Sequence, residues 1–260
     1  MTYGFGLAAL LGAAATGLYG FFVEPFWVQL TGYSLPGHVT QPLRIAHLSD
    51  LHSHGFGLRE HRVLALVERA APDLIVVTGD TSDADGVEPG RELFRRLRAP
   101  LGVWVVRGEH DPPVRPADER AFYRSTGAHL LDNEGAAVRE DVWLMGVDDP
   151  VAGNPDARRA LAGAPAAAYK IALFHAPDYF SDVSGLVDLG LAGHTHGGQV
   201  RIPGLASLHH PAHGRRYVQG WYSGEDDSHL FVSRGIGTGD LPARFLCRPE
   251  VAVIEIRPVN

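Results

Sequence analysis

The chain has 260 residues, 45% of them apolar and 20% charged, with a formal net charge of −7. A chain of this length fills a core without disulfide or metal staples, and its composition excludes collagen-like, low-complexity and wholly disordered classes. The lone Cys247 excludes an internal disulfide framework and cysteine-based zinc sites, while the acidic balance argues against a sequence-blind nucleic-acid binder.

Residues 1–23 carry no charged side chain. As a helix rising ~1.5 Å per residue they would extend roughly 35 Å, enough for a ~30 Å hydrocarbon layer. Tyr19, Phe21, Phe22, Phe26 and Trp27 cluster at the end of the run, as aromatics do at a membrane interface. The segment is expected to be an anchor or uncleaved signal that makes the protein membrane-associated. Its side is unreadable, because the first basic residue downstream is Arg44. Five glycines (Gly4, Gly6, Gly12, Gly17, Gly20) and the lack of a preceding Lys or Arg leave a helix packed on a cytoplasmic domain as the alternative. Residues 24–42 read as a connector and residues 43–260 as one domain.

Within that domain strand and helix patterns alternate. Strands are predicted at 43–48, 74–78, 103–106, 129–131, 142–146, 171–174, 186–192 and 251–256. Helices are predicted at 58–70, 88–97 and 117–126. Early β-α-β units followed by late strands predict an α/β fold, sheet-rich with helices outside.

The ends of these strands carry the chemistry. Asp50-Leu51-His52 follows the first strand, Gly79-Asp80 the second and Gly108-Glu109-His110-Asp111 the third. His175 follows 171–174, and Gly193-His194-Thr195-His196-Gly197-Gly198 follows 186–192. Such loops converge at the carboxyl edge of open α/β sheets. Carboxylates and imidazoles without thiolate suit Mn, Fe, Zn or similar divalent ions. Two such ions need a bridging carboxylate, for which Asp80 is the natural candidate. In an extended Asp-x-His or His-x-His, residues i and i+2 would point the same way.

These five motifs, in this order across residues 43–197, resemble the signature of the calcineurin-like metallophosphoesterases. The stretch from Gly193 to Gln199, Ser233-Arg234-Gly235-Ile236-Gly237, Leu241-Pro242-x-Arg244 and Pro249-Glu250 resemble that family's bacterial, often membrane-anchored branch. The resemblance implies two packed mixed β-sheets flanked by helices and two divalent metal ions. Asp50, His52 and His196 would hold the first ion, His175 and His194 the second, with Asp80 between them. His110 would stand unligated above, protonating the leaving oxygen, with Asp111 orienting it. The implied reaction is hydrolysis of a phosphodiester or phosphoanhydride by a metal-bridging hydroxide. The apolar N-terminus adds a lipid or lipid-linked substrate to that expectation.

One position departs from the family pattern, which has Asn as a second-metal ligand where this chain has Glu109. A carboxylate there would hold a divalent ion more tightly and lower the positive charge that attracts phosphate. The alternative expectation is therefore a catalytically impaired metal-binding platform, and after it a nuclease. Arg215 and Arg216, followed by Tyr217, Trp221 and Tyr222, are candidates for a second phosphate or headgroup, or else belong to a surface loop. Asp83 and Asp85 read as a solvated loop. His38, His47, His61, His129, His209, His210, His213 and His229 read as structural, with His54 undecided. Oligomeric state has no sequence signal.

Overall fold

A computed structural model describes residues 2–83, 86–204 and 211–259, the side chains of residues 2–9 excepted. Helix α1 (Thr2–Phe22) precedes β1 (Gln29–Gly37) and β2 (Leu43–Leu48), then α2 (Leu58–Ala70), β3 (Leu74–Thr78), α3 (Arg91–Arg96), β4 (Val103–Val106) and α4 (Pro116–Thr126). After them come β5 (Ala128–Leu130), β6 (Glu134–Arg139), β7 (Val142–Gly146), α5 (Ala157–Ala160), β8 (Tyr169–Leu173), α6 (Phe180–Val183), β9 (Leu189–Ala192), β10 (Gly220–Ser223), β11 (His229–Val232) and β12 (Glu250–Pro258).

The strands form two six-stranded mixed sheets, ordered β1-β12-β2-β3-β4-β5 and β10-β11-β9-β8-β7-β6. Within the first, β2 to β5 are parallel and β12 runs antiparallel to β2. Within the second, β7, β8, β9 and β11 are parallel. Period-two alternation explains the packing, because both faces of the central strands are buried. Leu43 and Ile45 of β2 and Leu74 and Val76 of β3 point between the sheets, onto Ile171, Leu173, Leu189, Leu191 and Phe231. Ala46, Leu48, Ile75 and Val77 point the other way, onto Val63, Leu66 and Val67 of α2 and Phe122 and Tyr123 of α4. The outer face of the second sheet packs Met145, Ala172 and Leu230 against Phe180 and Val183 of α6.

The predicted strands and helices of the domain match observed elements to within a few residues, but four strands, β1, β6, β10 and β11, and the short helices α5 and α6 were not predicted. The stretch expected as a connector contains β1, which pairs in parallel with β12 over nine residues. Its sequence, QLTGYSLPG, carries Gly and Pro, which sheets tolerate on an edge strand. Strand β6 is also an edge, half-buried except at the exposed Ala137, so it shows no apolar run.

Among the described residues no helix is long and apolar enough to cross a membrane. The C-terminal end of α1 is tied to the domain: Arg244 donates its backbone N–H to Gly20 O at 2.9 Å, and the rings of Tyr19 and Phe245 meet edge-on. Just beyond, the fully buried Glu24 carboxylate accepts the backbone N–H groups of Leu246 (3.0 Å) and Cys247 (2.5 Å). Removing that acceptor strands two donors, the Cys247 N–H buried and the Leu246 N–H partly so. Glu24→Ala is expected to lower the unfolding free energy by about 2–4 kcal/mol, read as a shifted urea midpoint at constant slope. Glu24→Gln, which keeps one acceptor oxygen, is expected to lose less than half of that.

Candidate metal centre

The carboxyl ends of β2, β3 and β4 in one sheet and of β8 and β9 in the other open onto the same edge, and the polar loops meet there. The loops turn inward through left-handed backbone rather than by extension: φ is 50° at Asp50, 39° at His52, 50° at Asp80, 71° at His194 and 50° at His196. The expected i, i+2 convergence of extended Asp-x-His and His-x-His is thereby corrected. Left-handed conformations cost of order 1–2 kcal/mol for residues with a Cβ, least for Asp, Asn and His among them. Two glycines permit the close approach. A Cβ on Gly108 would collide with the Asp80 carboxylate, and one on Gly193 with Ser49 Oγ and Asp50 Oδ2.

Among the described residues, Asp50, His52, Asp80 and His196 form one buried group of possible ligands, and Glu109, His175 and His194 a second; Asp80 and Glu109 also join His110. Asp80 Oδ2 lies 3.5 Å from His52 Nε2 and 3.2 Å from His175 Nε2, between the two groups. His175 Nε2 lies 2.9 Å from Glu109 Oε2, and His194 Nδ1 2.7 Å from Glu109 Oε1. These approaches lack hydrogen-bond geometry: Asp50 Oδ2, Glu109 Oε2, His175 Nε2 and His194 Nδ1 are buried with no hydrogen-bond partner. Orphaned buried atoms are rare, and four of them within the two ligand groups, those of Glu109, His175 and His194 converging, fit a pair of divalent cations. Oxygen and imidazole donors suit such ions.

The far side of three of the imidazoles is held by an oxygen. His175 Nδ1 faces Thr78 O at 2.7 Å and His194 Nε2 faces Ala212 O at 2.6 Å. His52 Nδ1 meets Asp83 Oδ1 at 2.6 Å. Carbonyls and carboxylates in these positions fix the tautomer that leaves the inward nitrogen free to bind a metal. Burial pushes the His52 imidazolium down, but Asp83, Asp80 and Asp50 outweigh it and raise the group. Burial raises Asp50. Burial also opposes ionisation of Asp80, where the His175 charge prevails and lowers it.

The structure corrects other expectations. Asp111 does not orient His110: it accepts from the backbone N–H groups of Gly108, Asp80 and Thr81 and from Thr81 Oγ1. It therefore clasps the β3 and β4 loops together, with burial and the Asp80 charge pushing it up to about 6. Of Arg215 and Arg216, the second turns its side chain to Ser181 and Tyr217 rather than to the centre. The backbone N–H groups of both donate to Asp178. Asp83, read as a solvated loop residue, is the partner of His52, and His54 stands exposed beside it. Only proximity in the fold, not the motif pattern, marks Asp83. His47 is buried against Thr78 Oγ1 and His129 stacks on Trp104, in structural places. Asp85, His209 and His210 lie outside the described residues.

An open cleft of about 580 Å³ covers the centre, lined by His52, Asp83, Glu109, His110, Thr238 and Pro242 among others. A two-sheet sandwich that gathers carboxylates and imidazoles around one shared aspartate beneath such a cleft is built as a metallohydrolase. The sequence pattern of the family described as calcineurin-like phosphoesterase matches residues 43–198. The chain is 31% identical to an uncharacterised metallophosphoesterase, YkuE, of Bacillus subtilis, over 98% of this chain and 96% of that one. It is 29% identical to the phosphodiesterase YaeI of Escherichia coli, over 92% of each. The fold is similar to that of TT1561 of Thermus thermophilus, with a TM-score of 0.51 over 75% of this chain and 90% of that one, at 15% identity. The chain belongs to the calcineurin-like phosphoesterase family. It is a metal-dependent phosphoester hydrolase.

Asp83→Asn keeps the size of the side chain but removes the charge behind His52. It is expected to weaken divalent-metal affinity about 10–100-fold, measured by chelator competition, with the thermal midpoint of the metal-free protein moved little. An unchanged affinity would leave Asp83 without a part in the centre.

Proposed function

We propose that this chain hydrolyses a phosphodiester or phosphoanhydride, with Asp50, His52 and His196 holding one divalent cation, His175, His194 and Glu109 a second, and Asp80 shared. Mn, Fe and Zn are the candidate ions. The carrying observation is the convergence of the two ligand groups on Asp80, with four buried donor atoms left unpartnered. When bound, the cations would supply an activated water and neutralise phosphoryl oxygens.

The chain's own residues do the rest. Asp80 Oδ1 accepts the His110 N–H at 3.0 Å, so the shared carboxylate also sets the loop that carries His110. The His110 side chain is 49% exposed and opens into the cleft, where it can give a proton to a leaving oxygen. Glu109 directs one oxygen to each second-group histidine, which supports its reading as a ligand in place of an amide. The same reading places the protein at a membrane through residues 1–23, with a lipid-bearing phosphoester as substrate. The exposure of Leu10 (70%), Leu18 (60%) and Phe22 (70%) supports it.

The test is hydrolysis of bis(p-nitrophenyl) phosphate by metal-stripped protein reloaded with Mn²⁺. Turnover is expected only with metal. His110→Ala is expected to lower kcat about 10²–10⁴-fold and Asp80→Ala to abolish turnover. Glu109→Asn is expected to retain turnover with weaker metal binding. Turnover only in Glu109→Asn would instead make the native chain a disabled platform, and none in any of these proteins would overturn the hydrolase reading.

A further inference from the structure

Beside the metal cleft runs a second groove, of about 760 Å³, within the size range of small-molecule sites. One wall is the end of α1 and the turn after it, with Phe21, Phe22 and Phe26. The other is the loop into α2, with Phe56 and Leu58. His54, Thr238 and Pro242 line both the groove and the cleft, so the two are continuous.

Phe22, Phe26 and Leu58 are 70%, 51% and 83% exposed. A contiguous apolar surface of this kind marks a binding site rather than ordinary surface. The wall is preformed, because the Phe56 ring lies against His61 (4.3 Å between centroids) and beneath the Arg96 guanidinium (4.5 Å). Two of its polar lining groups are already engaged. Glu60 Oε2 accepts the Gly57 N–H at 2.9 Å, and Arg59 Nη2 donates to His52 O at 2.9 Å. Most of what remains for a ligand is hydrocarbon, from Phe21, Phe22, Phe26, Phe56 and Leu58, and one end of that hydrocarbon would lie where a phosphoryl group meets His110.

Resting on the phosphoesterase reading above, we propose that this groove binds the hydrocarbon chain of an amphiphilic phosphodiester. Residues 21–26 then form part of the substrate site itself. The phosphate enters the cleft, and the chain lies between α1 and the 54–58 loop. The exposed Leu10, Leu11 and Leu18 further along α1 continue the apolar path away from the cleft.

The experiment compares p-nitrophenyl octyl phosphate with p-nitrophenyl methyl phosphate, both below micelle formation, using the full-length Mn²⁺-loaded protein. Each methylene that the groove covers is expected to raise kcat/KM about fourfold, giving an octyl-over-methyl ratio of at least about 10. Phe22→Asp and Leu58→Asp, both at exposed positions, are expected to collapse the ratio towards 1. Leu186→Asp, exposed and outside the groove, is expected to leave it. Calorimetric binding of octyl phosphate against methyl phosphate supplies a readout independent of turnover, with a more negative heat capacity expected for octyl. Methyl-ester turnover with no octyl preference would overturn the groove assignment and leave the hydrolase reading standing. Octyl-selective binding lost in Phe22→Asp, with no turnover of either ester, would do the reverse. Loss of phosphatidylcholine-vesicle binding in Phe22→Asp without any chain-length preference would also overturn it, making the groove a membrane contact.

Discussion

Asp50 and Asp80 are held out of water side by side, and among the described residues their ion-pair partners are histidines alone: His196 for Asp50, His52 and His175 for Asp80. Burying carboxylates together is costly unless opposite charge compensates them, and imidazoles compensate only when protonated. Dinuclear cation binding is the arrangement that settles both carboxylates and leaves each imidazole neutral as a ligand. Metal affinity and fold stability are therefore coupled. The two-sheet architecture, the left-handed turns at five site residues and the glycines at 108 and 193 all serve to bring these groups within reach of one another.

The same balance gives Glu109 its meaning. With Asp50 and Asp80 it makes three carboxylates among the possible ligands, leaving one positive charge from two divalent cations. An amide at 109 would leave two. With Glu109 as a ligand, as proposed, this chain would give up part of its pull on a phosphate and gain grip on its cations. The neighbouring groove offers another source of substrate affinity, through burial of hydrocarbon rather than attraction of charge. On that proposed reading, a site with weaker electrostatics and an apolar annexe would suit an amphiphile better than a small polyanion such as a nucleotide.

Much of the frame was legible because fully buried parallel strands write themselves as β-branched runs, and here each ends in a Gly, Asp or His that breaks the pattern. Leu74–Thr78 followed by Gly79-Asp80 shows both signals at once. Edge strand β1 was not legible, since pairing with β12 on one side only lets it carry Thr, Gly, Ser and Pro. Partner identity inside the site was illegible for a different reason. Asp83 and Asp111 are alike in sequence, the first three residues after Asp80 and the second directly after His110. Only the fold shows that the first meets an imidazole and the second a ring of backbone N–H groups. Arg215 and Arg216 carry a phosphate-binding chemistry, but Asp178 binds their backbone N–H groups and the Arg216 side chain turns to Ser181.

The N-terminal segment and the metal centre are joined through the C-terminal tail. Arg244, fully buried, donates to Gly237 O and Cys247 O, and its Nη2 lies 3.4 Å from His196 Nδ1. Its backbone N–H meets Gly20 O at the end of α1. Cys247 Sγ lies 3.2 Å from His196 O, and the Cys247 N–H is taken by Glu24. Buried charged groups with every partner inside the chain resist rearrangement, because moving one strands the others. The end of α1, the groove wall it forms and the His196 loop therefore sit in one rigid block. A hydrocarbon chain lying against Phe22 and Phe26 would be registered against the metal ligands by the same contacts that hold the fold.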